Sequence, residues 1–138
     1  METGLNAFKE ALHLKHVEAG EYSPLALAYI GDAVYELAIR TLVMNRGNMQ
    51  VNKMHKKSAS LVKAETQANI IKAIQDDLTE EELAVFRRGR NAQVHSIPSH
   101  ASRAQYSTAT ALEALFGWLY LGGQRQRASD LFDVMMEE

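Results

Sequence analysis

The chain has 138 residues, no cysteine and a formal net charge of −2. One domain over residues 1–138 is expected at this length, and the absence of cysteine excludes disulfides and thiolate metal sites. No run reaches the roughly 18 apolar residues of a membrane span, and the first residues lack the apolar core of a signal peptide. These features predict a cytoplasmic protein.

Charge is distributed unevenly along the chain. Residues 37–64 contain six lysines and arginines and no acid, and residues 83–112 contain four arginines and no acid. The acids gather near the N-terminus, in residues 76–82 and at the C-terminus. Such segregation can create a basic surface on a protein that is acidic overall. Two interpretations stay open: a nucleic-acid-binding surface, or solvated helix faces that are locally basic.

Apolar residues recur at helical spacing and no segment alternates convincingly with period two, so an all-α fold is predicted. A short first helix is expected to end near Gly20. Ser23 and Pro24 are typical of an N-cap and first helical position, and they start a helix that runs to about Asn45, with Gly47 after it. Two further helices are predicted over residues 50–58 and 59–75.

The second half of the chain has equally clear boundaries. Thr79 and Glu82 have the spacing of a capping box, which predicts the start of a helix. Residues 88–105 contain Pro98 and many small polar residues and are predicted to form a long loop. Ser107 is predicted to cap the next helix, which ends at residues 122–123. A last helix is predicted over residues 125–136.

The second helix carries an isolated acid in the apolar run LALAYIGDAVYEL, residues 25–37. Its core stripe is predicted from helical spacing as Leu27, Ile30, Val34 and Leu37. Asp32 lies on the other side, in a row with Ala28, Glu36 and Arg40. One interpretation is a solvated face on which Glu36 pairs with Arg40 and Asp32 is merely exposed. The other is a cation bound near the two acids.

Gly31 favours the cation. Glycine inside a helix costs about 1 kcal/mol relative to alanine and is usually tolerated where a backbone or ligand approaches closely. The apolar helix TALEALFGWLYL, residues 110–121, repeats the combination with Glu113 and Gly117. If the two helices pack side by side at their small residues, Asp32 and Glu113 can share a hard cation such as Mg²⁺. In the helix over residues 110–121, the residues predicted to be buried are Leu112, Leu115, Phe116 and Leu119.

Several segments carry a family resemblance. YIGDAVYEL (29–37) resembles the signature helix of ribonuclease III, and ALEALFGWLYL (111–121) resembles that fold's other acid-bearing helix. HKKS (55–58), RGRNA (88–92) and YSTATALEALFGWLYL (106–121) are similar to the Mini-III ribonuclease subgroup, which has the catalytic domain and no separate double-stranded-RNA-binding domain. The resemblance implies a homodimeric endonuclease that hydrolyses duplex RNA with Mg²⁺ and matures large-subunit ribosomal RNA precursors.

The resemblance also implies the site residues. Asp32 and Glu113 correspond to catalytic, metal-binding carboxylates, and Glu36 is a weaker candidate ligand. Typical ribonuclease III has three further acids, at positions occupied in this chain by Leu25, Ala28 and Thr110. The alternative is a non-catalytic RNA-binding or ribosome-assembly module with the same fold. A helical protein–protein interaction domain is a third hypothesis.

Contacts with the RNA backbone are expected from the two basic stretches, because duplex RNA is recognised mainly through its shape, phosphates and 2′-hydroxyls. The predicted contact residues are Lys56, Lys57, Arg88, Arg90 and Arg103, with His55 and Asn91 as weaker candidates. His13 and His16 have a spacing that zinc uses, but nothing nearby completes a ligand set. Trp118 and Tyr120 are expected in the core or at a dimer interface.

Overall fold

The computed structural model describes residues 11–15, 17–62, 71, 72, 74–92 and 103–136. These residues contain no strand, so the all-α prediction is confirmed. The helices are α1 Pro24–Asn45, α2 Val51–Val62, α3 Glu80–Asn91, α4 Arg103–Leu121 and α5 Arg125–Met136, with 3₁₀ turns at Ala19–Glu21 and Gln75–Asp77. None of the helices in these ranges is both long and apolar enough to cross a membrane.

Helix α4 is the centre of the fold. Helix α1 packs along one side of it, α3 along another, and α5 makes a smaller contact. Burial on several faces is typical of a helix surrounded by others. The four residues predicted to be buried on this helix are all buried: Leu112, Leu115, Phe116 and Leu119. Trp118 is partly buried and packs against the core, as expected.

The buried face of α1 differs from the predicted stripe. Leu27 is buried as predicted, but Leu37 is 68% exposed, whereas Tyr35 and Ile39 are fully buried. The Tyr35 ring packs edge-on against Phe116, with 5.8 Å between ring centroids. The helix has apolar residues on two faces, and contact with α4 decides which of them is covered. Ala28, predicted on the polar side, is therefore buried as well.

The predicted helix boundaries at α1 and α3 are confirmed. The Ser23 hydroxyl oxygen accepts a hydrogen bond from the Ala26 N–H at 3.1 Å, and α1 ends at Asn45. The Glu82 N–H donates to the Thr79 hydroxyl at 3.2 Å, while the Thr79 N–H donates to the Glu82 carboxylate at 2.9 Å. Local hydrogen-bonding chemistry is therefore enough to define where these two helices begin.

Other boundaries differ from the prediction. The helix near the N-terminus ends at Leu12, well before Gly20, because His13 has a left-handed backbone with φ of 56°. Helix α2 continues without a break across the boundary predicted between residues 58 and 59. The prediction of a helix over residues 59–75 lies partly outside the described residues.

The predicted loop over residues 88–105 is shorter than expected. Its first four residues belong to α3 and its last three to α4, while residues 93–102 lie outside the described residues. Gly89 does not end the helix, because its missing side chain lets α3 pack directly on Ala111 and Ala114 of α4. Ser107 lies inside α4, so the prediction that it is an N-cap is wrong.

A buried ion pair joins α5 to the start of α3. The Glu82 residue is only 2% exposed, and the Arg127 guanidinium donates to both of its carboxylate oxygens at 2.8 Å. The same guanidinium donates to the backbone carbonyl of Asp77 at 2.6 Å. Hydrogen bonding from Arg127 holds the pKa of the Glu82 carboxyl below its usual range.

Replacing Arg127 with methionine is expected to destabilise the protein by about 3 kcal/mol at pH 7, because it leaves the Glu82 carboxylate buried without its cation. Urea unfolding, monitored by circular dichroism, measures the loss in the free energy of unfolding. The matched control is Arg125→Met, two residues earlier on the same helix and exposed, which should change the free energy of unfolding by less than about 0.5 kcal/mol.

The destabilisation caused by Arg127→Met should depend on pH. Folding lowers the pKa of Glu82, so the pair stabilises the fold above the ordinary carboxyl pKa of 4.5, and this contribution disappears as the pH falls through the lower, folded-state pKa. The stability difference between the wild type and Arg127→Met should therefore shrink under strongly acidic conditions. An unchanged difference would mean that packing of the arginine stem, rather than its charge, stabilises the protein.

Candidate active site

Asp32 of α1 and Glu113 of α4 line the same surface cleft, which has a volume of about 340 Å³. Asp32 is exposed and Glu113 is half-buried. The cleft is lined by Leu25, Ala28, Tyr29, Asp32, Tyr106, Thr110 and Glu113. The tertiary fold therefore brings together the two acids, which are far apart in the sequence.

Two glycines bring the acid-bearing helices into backbone contact. A β-carbon on Gly31 would overlap the backbone carbonyl of Glu113, and one on Gly117 would overlap the backbone carbonyl of Leu27. The contacts are four residues apart on each helix and run in opposite chain directions, so α1 and α4 are antiparallel here. Because Asp32 directly follows Gly31, its side chain emerges beside Glu113 at the edge of this contact.

One face of α4 forms the other wall of the cleft. Residues 103, 106, 110 and 113 are spaced three, four and three apart, which places them on one side of a helix. The Thr110 hydroxyl donates to the backbone carbonyl of Tyr106 at 2.9 Å. Arg103 is exposed at the start of the helix, about 15 Å along the axis from Glu113. A basic side chain therefore lies beyond one end of the acidic cleft.

Tyr35 lies in the core close to Glu113. Burial, and to a lesser extent the negative charge of Glu113, raise the pKa of its phenol to about 12. Its hydroxyl donates to the backbone carbonyl of Leu61 at 3.4 Å. The phenol is therefore neutral at physiological pH, and Tyr35 supports the core rather than acting as a base.

Glu36 has a different environment from the two cleft acids. Its carboxylate accepts a hydrogen bond from Arg40 at 2.8 Å in an exposed ion pair. It is not one of the residues that line the cleft. The structure therefore supports the solvated-pair interpretation for Glu36, whereas Asp32 lies in the cleft with Glu113.

The predicted RNA-contact residues fall into two groups, and all of them are exposed. Arg88 and Arg90 flank Gly89, which packs on Ala111 of α4, so they lie beside the helix that carries Glu113. Asn91 follows them on α3. Arg103 extends this group along α4.

The second group lies on α2. His55 and Ser58 line a groove with Arg40, Val43 and Met44 of α1, which are about 12–18 Å from Asp32 along the helix axis. Lys56 and Lys57 lie between these two groove residues in sequence. The structure thus brings Arg88, Arg90 and Arg103 near the acid-bearing helix and leaves the lysines farther along α1.

The donor chemistry of the cleft fits a hard divalent cation. Mg²⁺ prefers oxygen ligands and is commonly held by one or two carboxylates, with water and substrate phosphates completing its shell. Asp32 and Glu113 supply two carboxylates from two helices whose contact is fixed at the backbone. In the part of the chain that the structure describes, no group of three or more histidine, cysteine or acidic side chains is arranged to hold a metal. The His13 and His16 pair lies partly outside that part.

Sequence reasoning did not identify Tyr29 and Tyr106 as cleft residues. Tyr29 precedes Asp32 by three residues, and Tyr106 precedes Glu113 by seven, so each shares a helix side with an acid. This spacing could have identified Tyr29 as a cleft residue from the sequence. It could not identify Tyr106, because the helix was predicted to begin only after Ser107.

The ribonuclease III domain family matches residues 25–124, which include all seven residues that line the cleft. With its helical fold and its paired carboxylates, the chain belongs to the ribonuclease III family, a class of endoribonucleases.

Individual relatives agree with this assignment. Mini-ribonuclease 3 of Symbiobacterium thermophilum is 45% identical over 80% of this chain and 85% of its own length. Mini-ribonuclease 3 of a Thermoanaerobacter species is 41% identical over 99% of this chain and 97% of its own length. A crystal structure of a Fusobacterium nucleatum protein superposes with a TM-score of 0.77 and 32% identity, covering 84% of this chain and 93% of that one.

Proposed function

We propose that this endoribonuclease cuts double-stranded RNA with Mg²⁺, and that Asp32 and Glu113 are its metal-binding carboxylates. The observation that carries the proposal is the backbone contact at Gly31, which brings both acids to one cleft. We also propose that residues 1–138 form a single catalytic domain.

The chain's own residues would orient the reaction. Asp32 and Glu113 would hold the ion from two neighbouring helices, and the cleft that they line is open to an RNA phosphate. When bound, Mg²⁺ supplies an activated water and offsets the negative charge that develops on the phosphate. None of the seven lining residues is a histidine, so the lining offers no imidazole base.

Exposed arginines beside α4 support duplex RNA as the substrate. Arg88, Arg90 and Arg103 offer charged donors to phosphates, which suits recognition of duplex RNA by its backbone and shape. Lys56 and Lys57 provide a second basic region farther along α1. The short cleft has room for the scissile phosphate, so further contacts with a duplex would come from these basic residues.

The test is cleavage of a labelled RNA duplex, its separated strands and a DNA duplex of the same sequence, with Mg²⁺ or with EDTA. Cutting of the RNA duplex alone, and only with Mg²⁺, is the expected result. A folded protein that binds the duplex and leaves it intact under every condition would instead be a non-catalytic RNA-binding module. Absence of any salt-dependent RNA binding would favour the protein–protein interaction domain.

Replacing Arg103 with alanine should weaken duplex binding and lower the slope of log affinity against log salt by about one, because one phosphate contact is lost. Fluorescence anisotropy between 50 and 200 mM salt (roughly the range over which this effect is large) measures the slope. Arg125→Ala on α5, outside both basic stretches, should leave the slope unchanged. Equal slopes for the wild type and Arg103→Ala would exclude Arg103 as a phosphate contact.

We further propose that the enzyme is a homodimer that pairs through α1. Large apolar side chains are exposed on one side of this helix, around the exposed Glu36–Arg40 ion pair, and exposed apolar surface of this kind is a feature of interaction sites. These residues are Leu25, Tyr29, Leu37 and Met44. Tyr29 also lines the cleft, so the proposed interface borders the catalytic acids.

Introducing a charge into this surface with Leu37→Glu should convert the dimer to a monomer, because an unpaired buried carboxylate is costly at an interface. Sedimentation at micromolar concentration should give twice the 15.4 kDa chain mass for the wild type and the single-chain mass for the variant. Ala84→Glu, which adds the same charge at an exposed position of α3, should remain dimeric. A monomeric wild type would contradict the proposal.

The natural substrate we propose is a large-subunit ribosomal RNA precursor in the cytoplasm. The resemblance to Mini-III ribonucleases supports this substrate. Cleavage of a transcribed precursor at one or two defined sites, rather than throughout its duplex regions, would agree with a maturation enzyme.

A further inference from the structure

The proposed metal site is poor in protein ligands. We propose that Asp32 and Glu113 bind one divalent ion per subunit weakly in the free protein. Bound duplex RNA then completes the set of ligands and raises the affinity of the site for the ion. This inference rests on the proposed function and concerns the order in which the site assembles.

The cleft is lined mostly by uncharged residues. Five of its seven lining residues are uncharged. Leu25, Ala28 and Thr110, which stand where the wider family has acids, all line this same cleft. The acids absent from the sequence are therefore absent from the site itself, and no carboxylate from another described part of the chain takes their place.

The cleft also contains neutral side-chain oxygens, on threonine and tyrosine residues. The Thr110 hydroxyl donates its proton to the Tyr106 carbonyl, so the orientation of this side chain is set by the α4 backbone. Tyr29 and Tyr106 each carry a phenol, a weaker ligand for a hard cation than a carboxylate. Asp32 and Glu113 are thus the only strong oxygen ligands among the lining residues.

A divalent ion needs more ligands than the two carboxylates supply. Mg²⁺ requires about six oxygens in near-octahedral geometry and gives up its water reluctantly. Two carboxylates on an open cleft leave most of these positions to water. An RNA phosphate that enters the cleft adds a charged oxygen ligand where the protein has none, so the ion is bound more tightly in the complex than in the free protein.

Linkage makes the effect reciprocal. If the duplex raises the affinity for the ion by some factor, the ion must raise the affinity for the duplex in that bound state by the same factor. Asp32 and Glu113 would then distinguish RNA lodged in the cleft from RNA held only by the basic residues. Metal binding would report correct positioning of a phosphate before any bond is broken.

The test measures ion binding rather than turnover. Electron paramagnetic resonance counts free Mn²⁺ in titrations of the full chain, with and without an RNA duplex, at 4 °C, and gels of the same samples verify that the duplex is intact. Identical titrations with the Glu113→Gln variant measure the ions that RNA binds by itself, and this background is subtracted. The expected result is weak binding in the free protein, at least about tenfold tighter binding with the duplex, and one protein-dependent ion per subunit.

Two results would overturn the inference: Mn²⁺ affinity that the duplex does not change, or two protein-dependent ions per subunit. Either result, in a protein that cuts duplex RNA with Mg²⁺, would leave the proposed function intact. A folded protein that fails to cut duplex RNA under any condition would overturn the proposed function instead.

A gain-of-binding variant provides a second measurement. Thr110→Asp adds a third carboxylate to the cleft and should tighten Mn²⁺ in the free protein, reducing the further effect of RNA. Thr110→Asn has the same shape without the charge and should bind Mn²⁺ as weakly as the wild type. If folded Thr110→Asp protein shows no tightening, ligand number does not limit the affinity and the inference fails.

Discussion

Replacing Asp32 with asparagine is expected to reduce kcat/KM for duplex RNA by at least about 1,000-fold, equivalent to about 4 kcal/mol of transition-state stabilisation. The amide keeps the shape of the side chain but removes the charge that holds the ion. Asp32 is exposed, so the fold should be unaffected. Cleavage rates at saturating Mg²⁺, together with a urea unfolding curve, separate lost chemistry from lost structure.

Glu113→Gln should cause a similar loss, and the double variant should be little worse than either single variant, because the two carboxylates act on one ion. The matched control is Glu36→Gln, one turn from Asp32 on α1 but paired with Arg40 outside the cleft. Its cleavage rate should stay within about threefold of the wild type. Comparable losses in Glu36→Gln and Asp32→Asn would show that the cleft assignment is wrong.

Gly31→Ala is expected to destabilise the protein by about 3 kcal/mol or more. The new β-carbon would overlap the backbone carbonyl of Glu113 and crowd the backbone nitrogen of Gly117. Both neighbours are backbone atoms in a buried helix, so no side chain can rotate away and α1 and α4 must separate. Helix propensity alone predicts the opposite sign, a gain of about 1 kcal/mol for alanine. Urea unfolding therefore decides between the two effects.

The matched control is Gly20→Ala, where a β-carbon meets no atom within 4 Å and the effect should stay below about 0.5 kcal/mol. Because Asp32 directly follows Gly31, any Gly31→Ala protein that remains folded should also cut RNA more slowly than its stability loss explains. A more stable Gly31→Ala protein would contradict the backbone contact itself.

The sequence by itself determined those features that depend on neighbours within one or two turns. Ser23 and the Thr79–Glu82 pair define helix starts, because their side chains bond to backbone groups three residues away. The apolar spacing of residues 112–119 correctly predicted buried positions on α4. The prediction succeeded because other helices cover nearly every side of α4, so it did not depend on choosing the right face. The two isolated acids, each close to a glycine, also pointed to helices that touch.

Tertiary contacts decided the rest. Both Tyr35 and Leu37 fit an apolar face of α1, and only packing against α4 buries the first and exposes the second. Gly89 was predicted to lie in a loop but allows α3 to approach α4. The cleft joins residues about 80 positions apart. The sequence already shows no acid at Leu25, Ala28 and Thr110, but only the tertiary structure places these three residues in one cleft with Asp32 and Glu113. Periodicity describes one helix at a time, whereas burial and ligand sets depend on the face that a second helix presents.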